Sequence, residues 1–309
     1  MNLNQAGQTA AATTMLTDLF KLQMDLLGAR GELAVGMLSS CIWNKVTPHG
    51  GGNRPVITFP GFLASGNTLL RLNRYLNRHG FEAQSWGLGR NLGPQETSWG
   101  EQLDNMIVEV GGTIQKLADE HSAPVSLIGQ SLGGVYAREL ALQMPDLVDR
   151  VIMLGSPSFH PYLTTHVNRV VSTFGYWMNR QSHAELAGRS GLLHWDADRP
   201  ALPCVSIHSP LDGVVDEASS IIPQYIVEQS DNSAPRENLR VLSSHIGMSV
   251  NPWVLLAIAD RLVQDRDDWQ IFDPYNYYSE SLQFVVSRLY PEQDSDVAST
   301  DITTLAESG

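Results

Sequence analysis

The chain has 309 residues, 42% hydrophobic and 17% charged, which is enough apolar material for one large core and too ordered a composition for a disordered chain. A formal net charge of −13, with no clustered Lys and Arg, excludes a nucleic-acid partner, because neutralising phosphates needs a basic surface. Two cysteines, Cys41 and Cys204, exclude a disulfide framework and fit a reducing, cytoplasmic setting.

No basic stretch precedes the first apolar residues, and the first charged side chain is Asp18, which argues against a secretory signal. Met15, Leu16, Leu19, Phe20, Leu26 and Leu27 recur at roughly helical spacing, interrupted by Asp18, Lys21, Gln23 and Asp25. Residues 1–50 are therefore read as an amphipathic helical extension that does not span a bilayer. Three uses of its apolar face stay open: docking on the rest of the chain, self-association, and peripheral contact with a membrane. The polar face lacks the Lys and Arg enrichment of interfacial helices.

Pro55-Val56-Ile57-Thr58-Phe59 is the first strong strand, and it ends at Pro60-Gly61-Phe62-Leu63. A glycine there lets the amide of Phe62 turn toward a pocket as a donor for a developing oxyanion; the alternative is an ordinary strand-ending turn. Residues 68–79 and 99–120 read as helices and 81–86 as a strand. Pro124-Val125-Ser126-Leu127-Ile128 is a buried strand, Val135 to Gln143 a helix, and between them stands Gly129-Gln130-Ser131-Leu132-Gly133-Gly134. A serine at such a corner needs neighbours without side chains, and the helix N-terminus supplies free N–H groups beside its oxygen. Ser131 is thus the candidate nucleophile, and the amide of Leu132 a candidate oxyanion donor.

Val151-Ile152-Met153-Leu154 is a further buried strand, followed by an aromatic-rich insertion over about 156–202. Leu163, Val167, Val170, Val171, Phe174 and Trp177 mark one helical face there, suited either to lining an acyl pocket or to packing on the sheet. Leu63, Phe174 and Trp177 are the candidate substrate contacts. His160, Asp196 and Asp198 read as loop residues, so no metal site is expected.

Pro203-Cys204-Val205-Ser206-Ile207 is another strand, and Asp212 stands just past it, before a glycine. The alternative for Asp212 is simple turn closure; Asp216 reads as the N-cap of a helix beginning at Glu217. Of nine histidines only His245 lies beyond this acid, after the strand-like run Asn238 to Leu242 and before a helical stretch from Pro252 to Val263. The order Ser131, Asp212, His245 is that of a nucleophilic triad on strand-end loops, with His245 as base and Asp212 as its orienting carboxylate. Beyond about 265 the chain is aromatic, with a helical stretch near 280–290, and 291–309 reads as a disordered acidic tail.

Phe59-Pro60-Gly61-Phe62, Gly129-Gln130-Ser131-Leu132-Gly133, Ser209-Pro210-Leu211-Asp212-Gly213 and Ser244-His245-Ile246-Gly247-Met248 together resemble the α/β-hydrolase superfamily, and within it bacterial lipases, esterases and lipase-like deacylases. Many lipases have His-Gly where this chain has Pro60-Gly61. The resemblance implies a mostly parallel central sheet flanked by helices over residues 51–265, a helical cap or lid in the insertion at about 156–202, and a serine mechanism without cofactor. The alternation of strands and helices argues for the same α/β class independently. The expected activity is cleavage of small-molecule or lipid acyl esters through an acyl-enzyme. An acyltransferase or thioesterase would use the same triad, and a hydrolase-fold binding protein would not require all three residues.

Overall fold

The computed structural model describes residues 3–38, 45–50, 52, 54–93, 99–157, 202–222 and 234–292. The insertion residues 158–201, with Phe174, Trp177, His160, Asp196 and Asp198, lie outside the described residues, as do Cys41 and residues 293–309.

Among the described residues six strands form the sheet: β1 Arg54–Phe59, β2 Phe81–Ser85, β3 Val125–Gln130, β4 Val148–Leu154, β5 Cys204–His208 and β6 Arg236–Arg240. Their order is β2-β1-β3-β4-β5-β6, and every pairing is parallel. Helices must then cover both faces, so the central strands are apolar in runs rather than in alternation. Successive residues feed opposite layers. On one face Ile57, Leu127, Val151 and Met153 pack with Val110 and Ile114 of α3 (Trp99–His121) and Tyr136 and Leu140 of α4 (Leu132–Gln143). On the other, Val56, Ile128, Ile152 and Val205 pack with Leu72 and Leu76 of α2 (Leu70–Arg78) and Val254 and Ile258 of α6 (Pro252–Val263). The chain winds outward in one direction from β1 to β2 and in the other from β3 onward. The crevice between the carboxyl ends of β1 and β3 is the switch point at which open parallel sheets bind ligands.

Two expectations are corrected. The last strand spans Arg236–Arg240 rather than Asn238 to Leu242, and Glu237 is drawn inward on it. Its carboxylate takes Nη1 of Arg261, the indole N–H of Trp269 at 3.2 Å and the amide of Phe272 at 2.7 Å. That network also seats the aromatic segment on the domain: Trp269 lies under the guanidinium groups of Arg150 and Arg261, 5.4 and 5.0 Å from the ring centre.

The second correction concerns α1, Leu3–Leu38. It docks on the domain, but four of the apolar residues that suggested its amphipathicity face away from it. Leu19, Phe20, Leu26 and Leu27 are 43%, 61%, 46% and 56% exposed. The seated face carries Leu22, Asp25, Gly28, Glu32, Leu33 and Gly36, and Asp25 is its buried residue. Carboxylates meeting backbone N–H groups hold this helix, as the site geometry makes plain. Among the described residues no helix is long and apolar enough to cross a membrane.

Candidate active site

The turn from β3 into α4 places Ser131 at φ 53°, ψ −126°, a left-handed backbone that costs a non-glycine residue about 1–3 kcal/mol. Neighbouring contacts enforce it. The Ser131 amide donates to the Leu154 carbonyl at 2.9 Å, and the Ser131 carbonyl accepts from Gly134 at 3.0 Å. The flanking glycines are sterically required: a Cβ at 129 would stand 2.3 Å from the Gly133 carbonyl oxygen, and one at 133 would stand 2.2 Å from that of Phe59. Leu132 is the first residue of α4, so its amide has no carbonyl to meet within the helix.

Across the switch point, Gly61 follows β1, and a Cβ there would lie 3.1 Å from that of Ser131. The Gly61 carbonyl accepts the Ala64 amide at 3.1 Å, so the planar trans peptide turns the Phe62 N–H the opposite way. Among the described residues that N–H has no hydrogen-bond partner. Leu63 sits in the left-handed region at φ 62°, and its amide donates to the Asn91 carbonyl at 2.6 Å, which makes it a turn residue of this loop. Buried Asn91 also donates from Nδ2 to the Pro60 carbonyl at 2.8 Å. Sequence reasoning missed Asn91, which lies in a loop without a motif.

Asp212 uses its two oxygens for the two roles weighed from sequence. Oδ1 closes the turn by accepting the amides of Val214 and Val215, both at 2.8 Å, while Oδ2 lies 2.7 Å from Nδ1 of His245. A carboxylate only accepts, so Nδ1 carries the proton and Nε2 is left with its lone pair. Asp216 occupies the N-cap of α5 (Glu217–Ser220), though its side chain makes no capping bond. The acid and base loops are further joined by Ser209, whose hydroxyl oxygen accepts the amides of Leu211 and Ser243, both at 3.0 Å.

One hydrogen bond ties this pair to the serine turn, and the end of β4 packs against it. Gln130, next to Ser131, donates from Nε2 to the His245 carbonyl at 2.7 Å. Gly155, at the end of β4, has φ 52°, and a Cβ there would stand 2.8 Å from Asp212 Oδ2 and 3.0 Å from His245 Nδ1. Burial disfavours the imidazolium, but the charge and hydrogen bond of Asp212, together with the charge of Asp25, outweigh it, and His245 is held above the usual histidine range.

His208 lies on a different network, its Nδ1 2.9 Å from Glu217, which Arg240 also binds. Burial pushes the Cys204 thiol up to about 12, leaving it unreactive. Among the described residues no group of three His, Cys, Asp or Glu is placed to hold a metal ion.

Residues 53–195 match the family described as Hydrolase_4, serine aminopeptidase S33. No curated protein sequence matches the chain. Similar solved structures include a monoacylglycerol lipase from Paleococcus ferrophilus, with 15% identity, 70% of this chain and 95% of that one covered, and a TM-score of 0.48. A soluble variant of monoglyceride lipase from Saccharomyces cerevisiae is 14% identical over 72% of this chain and 91% of that one, with a TM-score of 0.49. A lipase from Bacillus licheniformis is 14% identical over 71% of this chain and 94% of that one, with a TM-score of 0.47. The sheet order, the left-handed serine turn after β3 and the matched segment agree that the chain has the α/β-hydrolase fold.

Proposed function

We propose that the protein is a serine hydrolase that cleaves carboxylic esters of hydrophobic acyl groups. The observation that carries this reading is the 2.7 Å contact between Asp212 Oδ2 and His245 Nδ1, tied through Gln130 to a serine held at positive φ. His245 Nε2 takes the Ser131 proton as Oγ attacks the ester carbonyl, and Asp212 fixes the tautomer and balances the imidazolium. The amides of Leu132 and Phe62 receive the oxyanion. Collapse expels the alcohol with the proton from His245, and water, activated by the same base, releases the acid from Ser131.

The apolar spacing in the sequence of residues 163–177 and the lipase resemblance favour hydrophobic acyl chains. A thioesterase or acyltransferase would need the same groups, so the leaving group and acceptor are settled by product analysis with thioesters and with added alcohols. The first test is labelling with a fluorophosphonate probe, read by peptide mass spectrometry. Labelling at Ser131, lost in Ser131→Ala together with hydrolysis of nitrophenyl esters, is the expected result. Folded protein that neither labels nor hydrolyses esters would overturn the proposal.

A further inference from the structure

Helix α1 reaches the acid and base loops from almost two hundred residues away in sequence, and it does so with a carboxylate. Asp25 is 2% exposed. Its Oδ2 accepts the amide of Gly213 at 3.0 Å and that of His245 itself at 2.6 Å, while Oδ1 accepts the amide of Ile246 at 2.9 Å. One side chain therefore bonds the residue after Asp212 and the two residues that begin at the base. The fit leaves no slack. A Cβ at Gly213 would stand 2.6 Å from the Lys21 carbonyl oxygen, and one at Gly28 would stand 3.0 Å from the Ser244 side chain. One turn further along α1, Glu32 accepts the Ser244 amide at 2.6 Å.

We infer that Asp25 is a positioning residue for the catalytic base, clamping the His245 peptide from one side while Gln130 clamps it from the other, so that helix α1 is a working part of the active site. This rests on the serine-hydrolase reading for its consequence in turnover, though not for its geometry. The His245 N–H is held by Asp25 and its C=O by Gln130, and that fixes the backbone from which the ring projects. Losing the clamp lets the ring drift relative to Ser131. A displacement of about 1 Å in such a constellation lowers turnover by roughly 100-fold.

The charged groups facing His245 are Asp212 on its own side of the ring and Asp25 on α1, and both favour the imidazolium. Removing the Asp25 charge should therefore make the base easier to deprotonate and shift its titration to lower pH.

The test uses the full chain. Asp25→Asn removes the charge and turns an NH2 group toward the N–H donors. It is expected to lower kcat about 10- to 100-fold with a smaller change in KM, and to move the acid limb of kcat/KM to lower pH. Phe20→Ser, on the exposed side of the same helix, should leave all three at wild-type values. The His245 ring titration, followed by NMR, gives a readout that needs no turnover: it too should move to lower pH in Asp25→Asn. Wild-type kcat and an unmoved titration would overturn the inference. If wild type hydrolyses no ester, the serine-hydrolase reading fails, and the NMR titration alone still decides the role of Asp25. Should Asp25→Asn fail to fold, Asp25→Glu keeps the charge but misplaces it; a lowered kcat with an unmoved acid limb supports positioning, and wild-type kcat refutes it.

Discussion

The serine turn and the helix α1 seat both fix the backbone of the residues proposed for catalysis, but by different physics. At the turn, strands and helix come so close that only glycine fits: a Cβ at 129 or 133 would stand 2.3 or 2.2 Å from a carbonyl oxygen. At the seat, no described apolar side chain of α1 is fully buried, and two carboxylates accept amides from the loops of residues 213 and 244–246. The first arrangement is steric and indifferent to charge. The second is electrostatic, and its strength depends on buried N–H groups that would otherwise go unpaired, each costing about 1–3 kcal/mol. A steric device is disrupted by adding a methyl group, an electrostatic one by removing an oxygen.

The largest expected effect is at the serine. Ser131→Ala should lower kcat for nitrophenyl esters by about 10⁴-fold or more while leaving the thermal midpoint near that of wild type, since triad members act as a unit. Retained turnover would separate the turn from the chemistry. Next comes Asp212→Asn, expected to lower kcat by about 10⁴-fold through the wrong tautomer of His245. Because Asp212 Oδ1 also closes its own turn, this variant should lose stability as well, measurable by urea unfolding.

Gly133→Ala tests the steric half directly. The added methyl meets backbone rather than a flexible side chain, so a loss of at least about 1–3 kcal/mol is expected in denaturant titrations. An unchanged unfolding midpoint would show that β1 and α4 can move apart.

The pH dependence is subtler. With His245 held above the usual histidine range, the acid limb of kcat/KM should lie above about pH 6.5. A raised folded-state value also means that the His245 contribution to stability is complete below about pH 6.5 and is lost as pH rises through the folded value. The melting difference between wild type and His245→Gln should accordingly shrink toward alkaline pH. Smallest of all, Phe20→Ser should change stability by no more than about 0.5 kcal/mol, because that side chain is 61% exposed. A larger loss would mean that the outer face of α1 is buried in solution.

The strand cores and the serine turn were legible because their signals are local. Pro55 to Phe59 and Val125 to Gln130 are apolar runs buried on both faces, and Gly129, Ser131 and Gly133 lie within five residues of one another. The pairing of Asp212 with His245 was legible from chain order, helped by flanking strands that end at one edge of the sheet. Asn91 was not, because its partners Pro60 and Leu63 lie about thirty residues away and an asparagine in a loop carries no period. The start of the last strand at Arg236 was not legible for a related reason: a charged Glu237 breaks the apolar run, and only the fold brings Arg261 and Trp269 to its carboxylate.

The sequence by itself determined a parallel α/β sheet and the position of the strained serine, and it put Asp212 and His245 in order after it, since hydrophobic period and glycine spacing report directly on local geometry. Only the tertiary structure decided which side of α1 faces the domain. Apolar periodicity pointed to Leu19, Phe20, Leu26 and Leu27, yet the buried contact is made by Asp25, which meets the amides of Gly213, His245 and Ile246. The reason is that backbone N–H groups are present at every residue and leave no mark in sequence. A carboxylate that serves them looks the same as one facing water until distant loops have been folded against it.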